Sequence, residues 1–168
     1  SLMGARDFSV IETPPKNRLP IITEIVQFRD DIVRNAIMRE IDRGGQVYFV
    51  HNRVKTIDGI AARLKKVVPG VRLGVAHGQM KENELESIMV SFLKREFDVL
   101  ISTMIIESGL DIPNVNTIII NHAEHFGLAQ LYQLRGRVGR SSIQAYAYLV
   151  VHDFAALDEV SIKRLHTI

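Results

Sequence analysis

Apolar positions along the chain follow two rhythms that take turns. Runs of adjacent apolar residues at 21–28, 46–50, 71–76, 97–101, 116–120 and 145–151 predict strands, and their continuity predicts burial on both faces of a parallel sheet. Between them the apolar residues fall three or four apart. Val33, Ala36, Ile37 and Ile41 predict one helix, with Asp30 and Asp31 capping it and Gly44-Gly45 stopping it. Ile57, Ile60, Ala61, Leu64 and Val68 predict a second, ended by Pro69-Gly70, and Leu85, Ile88, Met89, Phe92 and Leu93 a third. A helix over 128–134 is expected to run on into an arginine-rich stretch, and a last one to cover 155–168. Strand and helix alternating in this way predict an α/β fold: a doubly wound, mostly parallel sheet in three layers, α/β/α. The stretch 4–20, with Thr13-Pro14-Pro15 and Leu19-Pro20, reads as a linker. Ser1-Leu2-Met3 is read as foreign to the domain.

Polar residues gather just beyond the strands. His51-Asn52-Arg53, His77-Gly78-Gln79 and Ser102-Thr103 each follow the last apolar residue of a run. Open parallel sheets bind ligands beyond the carboxyl ends of their strands, so these clusters predict one shared edge. Ser102 and Thr103 offer two hydroxyls for a neutral phosphate cradle. Downstream, Gly109 permits close ligand approach, and Asp111 can accept from a ribose hydroxyl or orient an arginine. His77-Gly78-Gln79-Met80 fits either backbone-phosphate donors or a turn opening the next helix. His51-Asn52-Arg53 carries the same two readings. His122 and His125 have metal-pair spacing, but no third ligand is expected near them, so no metal site is assigned.

The 168 residues fit one domain, and the absence of cysteine excludes disulfides and thiolate metal sites. A net charge of +2 and a pI near 9.0 hint only weakly at nucleic acid. No apolar run has the length of a membrane span.

The most informative stretch is Gln133-Leu134-Arg135-Gly136-Arg137-Val138-Gly139-Arg140, a Q-x-x-G-R-x-G-R pattern. On a continuous helix, Gln133, Arg137 and Arg140 would share one face, with Arg135 pointing off it. Two guanidiniums suit a polyanion with charge spread over several oxygens, such as a transferring γ-phosphoryl group. Yet no G-x-x-x-x-G-K-[ST] loop and no D-E-x-H or D-E-x-D box occurs in the chain. Holding ATP with Mg²⁺ requires both a P-loop lysine and a magnesium-binding acid. The sequence therefore offers half an active site, and this fragment alone is expected to be inactive.

Q-x-x-G-R-x-G-R resembles the sixth motif of superfamily 2 helicases and translocases. Flanking stretches sharpen the resemblance: Ile11-Glu12-Thr13-Pro14-Pro15, Gly44-Gly45-Gln46-Val47-Tyr48-Phe49, His77-Gly78-Gln79-Met80, His125-Phe126-Gly127-Leu128-Ala129-Gln130-Leu131 and Gln144-Ala145-Tyr146-Ala147-Tyr148. Together they look like the second RecA-like motor domain of bacterial transcription-repair coupling factors, with RecG helicase as a near relative. The resemblance implies a RecA-like domain over 21–152, after the 1–20 linker. It also implies that 153–168 begins a translocation hairpin inside which the chain stops. The implied activity is ATP-driven translocation on double-stranded DNA, displacing stalled RNA polymerase and coupling it to excision-repair proteins in the cytoplasm. ATP and Mg²⁺ would be held mainly by an upstream RecA-like domain. By position, Arg137 and Arg140 would touch the phosphates, with Arg140 as the finger and Gln133 in support. Gly109 and Asp111 would lie at the nucleotide edge. Ser102, Thr103, His77, Gly78, Asn52 and Arg53 would lie toward nucleic acid. Two alternatives stand beside this reading: a RecG-like branch-migration domain, and a non-catalytic nucleic-acid-binding module of the same fold.

Overall fold

A computed structural model describes residues 19–104 and 112–168. The 4–18 part of the linker, Gly109 and Asp111 lie outside the described residues. In chain order the elements are β1 (Ile22–Gln27), α1 (Asp30–Asp42), β2 (Gln46–Val50), α2 (Val54–Val67), β3 (Leu73–Ala76), α3 (Glu82–Leu93), β4 (Val99–Ser102), β5 (Val115–Asn121), α4 (Leu128–Arg135), β6 (Tyr146–Val151) and α5 (Glu159–Thr167). Single 3₁₀ turns sit at Ala123–His125 and Phe154–Ala156.

The six strands form one sheet in the order β1-β6-β5-β2-β4-β3, and every neighbouring pair is parallel. Alternation along each strand sends side chains to opposite faces. Val47 and Phe49 pack with Ile37 of α1 and with Ile57 and Leu64 of α2. Tyr48 and Val50 pack with Phe92 of α3, Leu131 of α4 and Leu165 of α5. That gives three layers, and it explains why β2 and β5 are buried at every position. Buried Glu40 pins α1 to the sheet: it accepts from Thr117 Oγ1 at 2.6 Å and holds Arg43 with two bonds of 2.7 Å.

From β2 the chain steps outward to β3, returns to β4, then crosses to β5 on the other flank of β2. The winding therefore reverses at β2, and the carboxyl end of β2 is the switch point where such sheets form a crevice.

Several element ends differ from the sequence expectation. Asp30 and Asp31 lie inside the first turn of α1, and the cap position belongs to Arg29. They complement the positive helix end but do not cap it. The 155–168 helix is broken. Asp158 accepts from the Ser161 N–H at 2.7 Å and starts α5 there. The α4 helix ends at Arg135, with Gly136 as its cap residue, and Gly139 takes φ +79. The arginine motif is thus a helix end followed by a turn, and one continuous helical face does not carry it. Gly136 keeps a helical conformation as the cap, and Gly139, in the left-handed region, turns the chain off the helix that the spacing alone suggested.

Candidate functional site

Because all strands run the same way, their carboxyl ends share one rim. A cleft of about 160 Å³ opens there, lined by Asn52, Met104, Phe126, Gln130, Gln133, Leu134 and Arg137. Asn52 follows β2, Met104 follows β4 and Phe126 follows β5, so three strand ends bracketing the switch point contribute. Helix α4 supplies Gln130, Gln133 and Leu134. Gln130 Oε1 accepts from the Gly127 N–H at 2.9 Å, closing the first turn of α4 over the cleft.

Gln133 and Arg137 come together on this cleft. Arg137 is half-buried and Arg140 is exposed. Arg140 lies around the turn, beside a separate depression bordered by Leu19, Pro20, Ile21 and Gly139, and its Nε donates to the Gly136 carbonyl at 3.3 Å. Arg135 is structural: Nη1 donates to the Ile168 carbonyl at 2.6 Å and the guanidinium lies 5.2 Å from the Tyr132 ring centre.

The two hydroxyls proposed as a phosphate cradle are not at the surface. Ser102 is the last residue of β4, a strand flanked on both sides, and is only 1% exposed; its Oγ has no hydrogen-bond partner. Thr103 is also buried, and its Oγ1 accepts from the Gly78 N–H at 3.3 Å. Pairing continues one residue further than the apolar run, and that draws both side chains inward. At the surface of this edge stand Asn52, Arg53 and Gly78, with half-buried His77, whose Nδ1 accepts from the Gln79 N–H.

Sequence reasoning passed over a polar relay across the same rim. His152 Nε2 meets Asn121 Oδ1 at 2.7 Å, Asn121 Nδ2 meets His51 Nδ1 at 2.9 Å, and His51 Nε2 meets Thr56 Oγ1 at 2.7 Å. One assignment satisfies all three contacts: His152 donates to Asn121, Asn121 to His51, and His51 to Thr56. Burial, then His122, His152 and Arg53 nearby, push His51 down to about 4. His122 and His152 are also lowered, first by burial. Their rings stack at 3.9 Å. The available signal was positional: Asn121-His122 closes β5 and His152 closes β6, so the strand-end rule that picked out His51 and His77 applies to them too.

The expectation of no third ligand beside His122 and His125 is corrected. Glu124 Oε1 lies 3.4 Å from His122 Nδ1 and 3.9 Å from His125 Nε2. The 3₁₀ turn at 123–125 folds the three side chains back on one another.

The all-parallel α/β sheet, with glutamine and arginine from one motif on its carboxyl-edge cleft, has the RecA-like fold of helicase C-terminal domains. Residues 29–142 match the helicase conserved C-terminal domain, and the chain belongs to that family. Over all 168 residues it is 55% identical to the transcription-repair-coupling factor of Bacillus subtilis (strain 168), 51% to that of Myxococcus xanthus and 51% to that of Escherichia coli (strain K12). It spans 14% of the length of the first two and 15% of the third. Among solved structures, RecG bound to a three-way DNA junction matches with a TM-score of 0.79 at 38% identity, covering 93% of this chain and 21% of that one. The C-terminal domain of the DEAD-box protein Dbp5 matches at 0.62 and 21% identity over 88% of this chain and 82% of that one, a likeness of fold alone. Among the described residues no helix is long and apolar enough to cross a membrane.

Proposed function

We propose that this chain is the arginine-bearing half of an ATP-driven motor that translocates on double-stranded DNA. The observation that carries the reading is the joint placement of Gln133 and Arg137 on a cleft at the switch point of a parallel sheet. A second RecA-like domain would hold ATP and Mg²⁺ through its P-loop and lay the γ-phosphate against this edge. Arg137 and Arg140 would then neutralise charge developing on the phosphoryl oxygens, with Arg140 as the finger and Gln133 holding the geometry. Gly109 and Asp111 would complete the nucleotide edge. Asn52, Arg53, His77 and Gly78 would meet the DNA backbone, with Ser102 and Thr103 shaping the loops beneath them.

The whole-chain identity to transcription-repair-coupling factors supports the finer reading: a cytoplasmic protein that displaces stalled RNA polymerase and brings in excision repair. The RecG likeness favours a second reading, branch migration at DNA junctions. Polymerase displacement and junction regression, assayed side by side on the longer protein, separate the two.

The test of the motor reading joins this chain to a P-loop domain. Turnover should rise on adding duplex DNA, and Arg137→Ala or Arg140→Ala should slow it by about 10³-fold, within the range seen for arginine fingers. Nucleotide binding should survive both changes. Unchanged turnover in both variants would overturn the assignment.

A further inference from the structure

The β5–α4 turn brings together three potential ligands that the motor reading does not use. We propose that His122, Glu124 and His125 form a binding site for a divalent transition-metal ion of the zinc type, one that braces the turn leading into α4.

The nearest ligand atoms of the three side chains lie within 4.8 Å of one another, with Glu124 Oε1 between the two imidazoles at 3.4 and 3.9 Å. Bonds of about 2.1 Å to a tetrahedral zinc ion place neighbouring ligand atoms about 3.4 Å apart. One of the measured separations already has this value. The wider ones close by a torsion of His125, whose side chain is exposed. Two imidazoles and one carboxylate are borderline ligands, suited to zinc, cobalt or nickel; magnesium and calcium prefer all-oxygen shells. The exposed side of His125 leaves the fourth position to water.

The surroundings support a cation. Glu124 Oε2 is buried and has no hydrogen-bond partner, and a desolvated carboxylate oxygen is costly unless it is paired. The adjacent guanidinium does not serve it: Arg164 Nη2 donates to the Glu124 main-chain oxygen at 2.7 Å. His122 is half-buried on the same turn. Its ring is fixed by stacking on His152, which Asn121 holds in turn. Phe126, directly after His125, lines the cleft. A metal held here would stiffen the cleft wall without touching the arginines.

Zinc and cobalt titrations of the full chain test the site. Calorimetry should give one zinc per chain, zinc should raise the thermal midpoint where magnesium does not, and cobalt should give the intense visible bands of a four-coordinate ion. His125→Asn and Glu124→Gln should each weaken zinc binding by more than the roughly 10–100-fold that loss of an outer-shell partner costs. His166→Asn, on α5, should leave it unchanged. Melting in chelator shows whether each variant folds, and the cobalt spectrum of the unaltered chain needs no variant. Pale six-coordinate cobalt bands, no zinc-dependent rise in melting, or zinc binding that survives both ligand changes would each overturn the site. ATP turnover enters none of these readouts, so the outcome is separate from that of the motor reading.

Discussion

At the scale of single residues, the arginine motif depends on its glycines. Gly139 has φ +79, a conformation that side chains with a Cβ avoid, and a Cβ built there would sit 2.8 Å from Ile21 Cγ1. Both penalties act on the turn that separates Arg137 from Arg140. Gly139→Ala should therefore cost at least about 1–3 kcal/mol, the usual range for a forced backbone conformation. Urea denaturation measures the loss, and a parent-like midpoint would show that the turn tolerates the methyl group. The sequence displayed the residues of this motif but not its shape. A spacing of three and four is shared by helix faces and by turns that happen to return, and only the left-handed conformation of Gly139 tells them apart. Ser102 was misplaced for a related reason: hydropathy marks where apolar residues stop, whereas strand pairing stops where the ladder does.

At the scale of elements, the relay His152–Asn121–His51–Thr56 ties together the ends of β6, β5 and β2 and the start of α2. Asn121 is fully buried and sits between the two histidines, bonding both. Asn121→Ala would leave buried His51 Nδ1 without that partner, at about 1–3 kcal/mol, and would also remove the bond to half-buried His152. The expected result is a clear fall in the chemical-denaturation midpoint, together with faster hydrogen exchange at the three strand ends. A variant as stable as the parent would mean that water replaces the amide. The strands and helices themselves were legible, because continuous apolar runs and three-to-four spacing have few other causes in a chain of this size. The relay was not. Its two contacts at Asn121 join residues 31 and 70 positions apart, and strand order, which hydropathy does not encode, decides which of them meet.

At the scale of the whole molecule, the parallel sheet separates two jobs between its two edges. The carboxyl edge gathers the cleft, the relay and the histidine–glutamate cluster. The amino edge is held by ordinary structural contacts. There Asp98, just before β4, accepts from the Arg72 main-chain N–H at 2.9 Å and from its guanidinium at 3.0 and 3.3 Å. Burial alone would raise the Asp98 carboxyl, but the Arg72 bonds outweigh it and hold the group below the ordinary carboxylate range. A depressed carboxyl stabilises the fold at pH values above its unfolded pKa, about 4, and that contribution disappears as pH falls through the lower folded value. Asp98→Asn should thus lower the thermal midpoint at neutral pH and narrow the gap to the parent as the solution is acidified below about pH 4. Salt should shrink the effect, because the pair is partly exposed. In a protein joined to its P-loop partner, the same substitution should leave DNA-stimulated turnover unchanged at temperatures where both proteins stay folded. A change in turnover there would mean that the amino edge reports to the cleft, and that the sheet does not insulate its two ends.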